Sequence, residues 1–526
     1  MTRAQPGRGG HAWWQRGVVY QVYPRSFQDA NGDGIGDLRG IAQRLDALCE
    51  LGIDAVWLSP IYPSPMADFG YDVTDHCAID PTFGTLSDFD ALLDDVHRRG
   101  LKLILDYVPN HTSDRHPWFV ESRASRTNPR RDWYVWRDPR PDGSPPTNWQ
   151  SEFGGPAWTF DAATGQYYYH AYLKEQPDLN WRNPQVVDAM LGVLRFWFDR
   201  GVDGFRVDAI HHLIEADPPL DNPQNPQWRE GMSPTRRVVR RYTMDQPEVH
   251  DAIAAMRRVA DSYEDRVTIG EAYLPIDRLM AYYGADLGGF QLPFNFHLIS
   301  TPWSAPALAD LIERYEAALP AGAWPNWVLG NHDRSRVASR IGEPQARVAA
   351  MLLLTLRGTP TIYQGEEIGL HDVPIAPDRV QDPWERNLPG LGLGRDPVRT
   401  PMPWSDDVHA GFSSAAPWLP LNADWPTRNV AAQARDLASM LSLYRALLRL
   451  RRSMPALAVG AIGSIAVGGD VLSYERSDSM RRVQVALNVS EAPQRLDLGA
   501  RCGMRLLSTL PDRAGGARIE RVLRLR

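Results

Sequence analysis

The chain has 526 residues, of which 43% are hydrophobic and 23% are charged. This composition is typical of a large globular protein and excludes a disordered or fibrous chain. The formal net charge of -7 at pH 7 offers no positive surface to a polyanion, so nucleic acid is not expected as a partner.

The cysteines and the apolar runs indicate the compartment. Cys49, Cys77 and Cys502 are odd in number and far apart, which argues against a disulfide framework and against a cysteine zinc site. The most hydrophobic stretch, 349–356, is far shorter than the roughly 20 residues that cross a bilayer. We therefore expect a cytoplasmic protein without a membrane segment.

Short β-branched or aromatic runs alternate with amphipathic stretches along most of the chain. This alternation predicts a parallel sheet, and eight such units close into a (β/α)8 TIM barrel, an α/β fold whose chemistry lies at the carboxyl ends of its strands. The predicted strands are 18–23, 55–58, 102–108, 204–207, 267–269, 290–294, 327–329 and 361–363. The predicted helices are 38–51, 87–99, 184–200, 247–263, 305–318, 343–357 and 434–452.

Two segments interrupt the alternation. Residues 111–183 are rich in Trp, Tyr, Pro and Gly and lack a helical period, so we expect a subdomain inserted after the third strand. After residue 452, short alternating segments at 463–467, 471–476, 482–488 and 500–508 predict a C-terminal antiparallel β-domain. The predicted division is a barrel in two parts, 1–110 and 184–455, an inserted subdomain at 111–183 and a β-domain at 456–526.

Carboxylates, histidines and an arginine stand at the ends of four predicted strands. An Asp nucleophile that faces a Glu proton donor is what retaining glycoside cleavage requires, and a third carboxylate helps to raise the donor's pKa. Any one of these carboxylates could instead be a helix N-cap, but the whole set indicates a site. Arg206, two residues before Asp208 and on the same strand face, is placed to hold that Asp ionised. The strings are Asp106-Tyr-Val-Pro-Asn-His111, Gly204-Phe-Arg-Val-Asp208, Gly270-Glu271 and Asn331-His-Asp333.

These four strings resemble the signature regions of the α-amylase superfamily, glycoside hydrolase family 13. The segment Gln176-Pro-Asp-Leu-Asn180 is similar to an additional loop signature of that family. Two further strings resemble its α-glucosidase and oligo-1,6-glucosidase branch: Gln21-Val-Tyr-Pro-Arg-Ser-Phe27 and Gly394-Arg-Asp-Pro-Val-Arg-Thr-Pro-Met-Pro-Trp404. The likeness extends over residues 13–452 in the family's order.

The resemblance implies a role for each matching residue. Asp208 would be the nucleophile, Glu271 the acid/base, and Asp333 the carboxylate that grips the sugar hydroxyls, while Arg206 would orient the nucleophile. His111 and His332 would hydrogen-bond the glucose, and Tyr71 would stack on it. Asp72 would bind the nonreducing end with Arg399 as its partner, and Phe153 would form an aromatic wall. The alternative for Phe153 is a packed aromatic, and the alternative for Arg399 is a structural ion pair.

An acidic, glycine-rich turn follows the first predicted strand. Its oxygens have the alternating spacing of a calcium loop, but Gly40 occupies the last ligand position and a strand precedes the loop, which excludes a true EF-hand. A turn without an ion is the alternative, and the family resemblance favours a structural Ca²⁺ or Mg²⁺; no organic cofactor is expected. The predicted ligands are Asp29, Asn31, Asp33, Ile35 through its carbonyl, and Asp37.

Fewer residues report on specificity. Ala209 follows the expected nucleophile, where the resembling family associates Val with α-1,6 and smaller residues with α-1,4 linkages; a small residue needed only for packing is the alternative. Arg334 stands where Gln is common, and with Arg336 and the long loop 215–241 it lies where an acceptor would bind. Both arginines could also be solvated charges at a helix start.

We expect an exo-acting retaining α-glucosidase that hydrolyses short maltose-type substrates and also transfers glucose. The alternatives are an oligo-1,6-glucosidase, a trehalose synthase, a sucrose-acting glucosyltransferase and, remotely, a non-catalytic binding relative. All three expected catalytic carboxylates are present, which disfavours the last, and Tyr23-Pro-Arg-Ser-Phe27 resembles the glucosidases better than trehalose synthase. The expected partners are a small neutral saccharide and alcohol or sugar acceptors, and the expected state is a monomer or homodimer.

Overall fold

The computed structural model describes residues 10–510 and 515–525. Strands numbered along the described chain are β1 (Val19–Val22), β2 (Ala55–Leu58), β3 (Lys102–Tyr107), β4 (Trp136–Arg137), β5 (Trp158–Asp161), β6 (Gln166–Tyr169), β7 (Gly204–Val207), β8 (Val267–Gly270), β9 (Leu292–Asn295), β10 (Asn326–Val328), β11 (Thr359–Tyr363), β12 (Ala461–Gly468), β13 (Val471–Ser477), β14 (Arg482–Asn488), β15 (Gln494–Met504) and β16 (Arg518–Leu525).

The helices of the same residues are numbered in the same way. They are α1 (Trp13–Arg16), α2 (Leu38–Leu51), α3 (Leu86–Arg98), α4 (Pro117–Ala124), α5 (Pro184–Asp199), α6 (Val249–Asp261), α7 (Ile276–Met280), α8 (His297–Ser300), α9 (Ala305–Ala318), α10 (Val337–Ile341), α11 (Glu343–Thr355), α12 (Pro383–Asn387), α13 (Val430–Arg435), α14 (Met440–Ser453) and α15 (Pro455–Ala458).

Eight parallel strands close into a barrel in the order β1-β11-β10-β9-β8-β7-β3-β2. The predicted (β/α)8 barrel is therefore confirmed. The strands are short, nearly continuous apolar runs because both faces of a barrel strand are buried, one by the barrel interior and one by the helices. In the register, Asp106 of β3 lies opposite Arg206 of β7, which lies opposite Ile269 of β8. The polar residues after these strands are thus brought to one rim.

Local capping fixes where the barrel helices begin and end. Helix α2 begins after Asp37, whose side chain accepts from the Gly40 N–H, and ends at Gly52 in the left-handed conformation. Helix α3 begins after Thr85 with a capping box to Asp88. Such caps satisfy backbone groups that a helix leaves unpaired at its ends.

Smaller sheets lie in the two segments that interrupt the alternation. Strands β4, β6 and β5 form an antiparallel sheet within 111–183, and β12–β14 and the β15–β16 pair follow the barrel. The C-terminal strand β16 was not predicted, and the predicted helix 434–452 is divided into α13 and α14. The boundaries between the segments stay predictions. In the part of the chain that the structure describes, no helix has the length and apolar character needed to cross a bilayer.

The β7–β8 contact gives a test of the barrel packing. A Cβ on Gly204 would lie 2.5 Å from both Cγ1 and the carbonyl oxygen of Val267, so Gly204→Ala should push the strands apart and lower the free energy of unfolding by about 1–3 kcal/mol. Gly192, inside α5, has no atom within 4 Å of the added Cβ. The control Gly192→Ala should therefore be neutral or stabilising by about 0.5–1 kcal/mol. Thermal melting of both variants decides the matter, and equal effects would contradict this packing.

Candidate active site

A buried arginine lies at the centre of the polar rim. Arg206 Nη1 donates to Asp106 Oδ1 and to Asp208 Oδ1, both at 2.7 Å, and Nη2 lies 2.6 Å from Glu271 Oε2. The Arg206 side chain is 1% exposed. Three carboxylates from three neighbouring strands therefore share one guanidinium group. That guanidinium group is out of contact with bulk water.

The charges of this cluster do not balance. Burial raises the pKa of Asp106 to about 7, with Glu271 adding to the rise and Arg206 opposing it. Burial also raises the pKa of Asp208, and here too Arg206 opposes the rise while Glu271 and Asp106 add to it. One cation facing three buried carboxylates favours a cluster that retains a proton.

Backbone strain next to Asp208 contributes to the same arrangement. Ala209 has φ of 46° in the left-handed region, where a non-glycine residue costs of the order of 1–3 kcal/mol. In this conformation its N–H donates to Glu271 Oε2 at 2.9 Å. The side chain of Ala209 is buried, and the residue is not among those that line the cavity. Its contact with the site is thus through Glu271.

Asp333 lies on the opposite side of the rim with its own cations. Its carboxylate accepts from Arg399 Nη2 at 2.8 Å and lies 3.5 Å from Arg395 Nη1. Burial alone would raise the pKa of Asp333, but the adjacent His332 ring and the guanidinium groups of Arg399 and Arg395 outweigh burial and hold this pKa well below its usual range. Asp333 is therefore an ionised acceptor.

Tyr71 and His332 form the floor of the site. Their rings stack at 5.5 Å with an interplanar angle of 1°. Gln21 Nε2 lies 2.7 Å from His332 Nδ1, and Tyr71 Oη lies 2.6 Å from His332 Nε2 and 3.2 Å from Asp106 Oδ2. If Gln21 donates to Nδ1, the Nε2–H donates to Tyr71, which then donates to Asp106. Burial lowers the pKa of His332 well below its usual value, so this ring is neutral.

The expected pair of Asp72 with Arg399 is wrong. Asp72 Oδ1 accepts from Ser64 Oγ at 2.8 Å, its carboxylate also accepts two backbone N–H groups at 67 and 68, and burial raises its pKa to about 6. It closes the preceding loop and does not line the cavity. Asp68, at the other end of the same Asp-Phe-Gly-Tyr-Asp string, lies 2.6 Å from Arg395 Nη2. The sequence offered two aspartates and two arginines, and only the loop fold selects this pair.

These residues surround a cavity of about 360 Å³. Arg206 and Arg399 lie behind the carboxylates and do not line it. A larger cavity of about 660 Å³, between α11, α14 and the C-terminal strands, holds none of the three expected catalytic carboxylates, so we place the site at the rim. The expected residues that line the rim cavity are Tyr71, His111, Phe153, Asp208, Glu271, His332 and Asp333; those that sequence reasoning missed include Asp68, Glu152, Tyr172, His211, His212, Arg240, Tyr273, Trp384 and Arg395.

The acidic turn after β1 is closed by its own hydrogen bonds. Asp29 accepts from the N–H groups of Gly32 and Gly34 and from Ser413 Oγ, and Asp37 accepts from three further backbone N–H groups while capping α2. Within 10–510 and 515–525, no group of three or more His, Cys, Asp or Glu side chains is arranged to hold a metal ion. The divalent cation stays a prediction from the sequence. The other predicted ligands, Asn31, Asp33 and Ile35, hydrogen-bond to one another within the turn.

Comparisons with known proteins agree with this geometry. The family model for the α-amylase catalytic domain matches residues 21–460. A probable α-glucosidase of Rhizobium meliloti (strain 1021) is 43% identical over 495 residues, covering 91% of this chain and 90% of the relative. An oligo-1,6-glucosidase of Parageobacillus thermoglucosidasius is 39% identical over 517 residues, covering 91% of each chain.

The fold has a solved counterpart. The crystal structure of the α-glucosyl transfer enzyme XgtA superposes with a TM-score of 0.91 at 41% identity, covering 98% of this chain and 99% of that one. Family model, relatives and solved structure all extend over the barrel that carries the site. The chain therefore belongs to the α-amylase family, glycoside hydrolase family 13, and is a glycoside hydrolase.

Proposed function

We propose that the protein is a retaining, exo-acting α-glucosidase that prefers short α-1,4-linked glucosides and also transfers glucose to hydroxyl acceptors. The observation that carries the proposal is the Arg206 cluster, in which Asp208 lies 2.7 Å and Glu271 lies 2.6 Å from the same guanidinium group. Retaining enzymes place their two carboxyl groups close together, whereas inverting enzymes separate them to admit a water.

In this proposal Asp208 attacks C1 of the glucose while Glu271 protonates the leaving oxygen. Glu271 then takes a proton from water, which attacks C1 and releases glucose with its original configuration. Arg206 directs the Asp208 carboxylate, and the Ala209 N–H directs that of Glu271. An alcohol that replaces water gives glucosyl transfer by the same step.

The closed end of the cavity supports release of a single terminal glucose. Tyr71 and His332 form a buried aromatic floor, and Asp68 with Arg395 supplies a buried ion pair beside it. Charged groups held in this way form strong hydrogen bonds with sugar hydroxyls. The ionised Asp333 adds a third charged acceptor at this end.

Ala209 supports the α-1,4 preference because it is a small residue directly after Asp208, where the family associates smaller residues with α-1,4 linkages. The oligo-1,6-glucosidase among the relatives favours the competing assignment, cleavage of α-1,6 bonds.

We also keep a cytoplasmic location as a proposal, which the free Cys49 and Cys77 support. Monomer or homodimer stays a prediction.

The substrate preference is tested by following maltose, isomaltose, sucrose and trehalose separately by NMR at the anomeric proton. We expect maltose to be cleaved fastest, with α-glucose appearing first. Asp208→Asn should lower kcat by roughly 10⁴-fold or more, whereas Asp310→Asn, an exposed carboxylate on α9, should not change it. Faster cleavage of isomaltose would overturn the linkage preference, and an active Asp208→Asn variant would overturn the mechanism.

The two aspartates of the Asp-Phe-Gly-Tyr-Asp string give a matched pair. Asp68→Asn removes a charge beside the predicted glucose, while Arg395 stays paired with Asp382 at 2.6 Å, so kcat/KM should fall about tenfold to a hundredfold with little change in melting temperature. Asp72→Asn places an amide donor against backbone donors and should lower the free energy of unfolding by about 1–2 kcal/mol. Steady-state kinetics and thermal melting of both variants test this assignment. Lost stability in Asp68→Asn together with lost activity in Asp72→Asn would contradict it.

A further inference from the structure

We propose that the open side of the cavity takes a small anionic acceptor, a compound that carries a hydroxyl group beside a carboxylate or a phosphate, and that the enzyme transfers glucose to that hydroxyl. This inference rests on the proposed function and names the acceptor class of the same site. It is based on three arginine side chains that the proposed hydrolysis does not use: Arg236, Arg240 and Arg334.

The cavity has a buried end and an open end. Tyr71 and His332 are 4% and 1% exposed, and the terminal glucose belongs there. The opposite wall comes from the segment 233–244 after β7 and from Arg334, where Arg236 is exposed and the other two arginines are half-buried. The leaving group departs through this end, and an acceptor enters through it.

Apart from the catalytic carboxylates, Glu152 is the carboxylate that lines the cavity beside these guanidinium groups. Glu152, from the inserted segment, forms an ion pair with Arg240 and lies 3.3 Å from His212 Nε2. Glu152 therefore neutralises Arg240. Arg236 and Arg334 are left on the open side without a salt-bridge partner of their own among the described residues.

Arg236 and Arg334 form no salt bridge to any described residue. The Arg334 guanidinium is held over the Tyr273 ring, 4.8 Å from its centroid, which orients it without neutralising it. The nearest catalytic carboxylates, Asp333 and Glu271, attract it but already pair with Arg399 and Arg206. A neutral sugar would not require two unpaired guanidinium groups, whereas a carboxylate or phosphate binds them by charge-assisted hydrogen bonds.

Arg334 and Arg336, which both precede helix α10, are not equivalent charges at a helix start. Arg336 is buried and donates to the backbone carbonyls of Gln364 and Val398, at 2.8 Å each. Its role is to join loops behind the site. Arg334, two residues earlier, is directed into the cavity.

The transfer step needs no further reactant. The acceptor hydroxyl attacks C1 of the glucosyl ester, its proton passes to Glu271, the C1–oxygen bond to Asp208 breaks and the Asp208 carboxylate is released. The anionic group of the acceptor stays bound at the arginines and is unchanged. The product is an α-glucoside of a hydroxy acid or of a phosphorylated alcohol.

The test compares acceptors that share their hydroxyl groups and differ in charge. With p-nitrophenyl α-glucoside as donor, glycerol, glycerate and glycerol 3-phosphate are supplied at equal concentration, and the ratio of transfer to hydrolysis is measured for each. The donor forms the same glucosyl-enzyme in every case, so the ratio reports the acceptor alone. We expect at least one anion to exceed glycerol by about tenfold, with the excess falling as salt is added. The two anions distinguish a carboxylate from a phosphate source.

Variants assign the effect to the two arginines. Arg334→Gln and Arg236→Gln should each lower the ratio of anion transfer to glycerol transfer several-fold, whereas Arg237→Gln, whose guanidinium lies over Trp228 at 4.7 Å outside the cavity, should leave that ratio unchanged. No anionic product, or a ratio equal to that of glycerol, overturns the inference while the proposed hydrolysis stands. A protein that does not cleave the donor overturns the proposed function itself.

Discussion

Arg206 contacts three carboxylates inside the barrel rim, and the positions of the reacting groups follow from these contacts. The register of a closed barrel brings β3, β7 and β8 side by side, so Asp106, Asp208 and Glu271 must occupy one small volume. Without a shared cation these buried charges would repel one another, and breaking such a buried pair costs about 3–5 kcal/mol. The arginine is both the condition for the cluster and the group that orients it.

The surrounding residues hold the cluster in one state. Tyr71 connects the neutral His332 to Asp106, and the strained Ala209 directs Glu271. Asp333 stays ionised because its own arginines outweigh burial. The site therefore places a cluster that retains a proton on one side of the cavity and an ionised acceptor, Asp333, on the other.

The sequence predicted the barrel and the gathering of Asp208, Glu271 and Asp333 at its rim, because both depend on local patterns: apolar runs bounded by turns, and charged residues directly after them. It failed where the answer depends on how a loop folds. Asp68 and Asp72 flank the same three residues, and only the hydrogen bonds of the loop show that Asp72 closes it. Likewise Arg334 and Arg336 are alike in sequence but lie on different sides of the rim.

We propose Asp208, which accepts a hydrogen bond from Arg206, as the nucleophile that forms a covalent glucosyl-enzyme. The most direct measurement is to incubate the protein with 5-fluoro-α-D-glucosyl fluoride, digest it with protease and locate the added mass by tandem mass spectrometry. We expect the adduct on the peptide that contains Asp208, attached to that side chain. An adduct on Glu271 or Asp333, or turnover of α-glucosides to β-glucose with no adduct, would overturn this assignment.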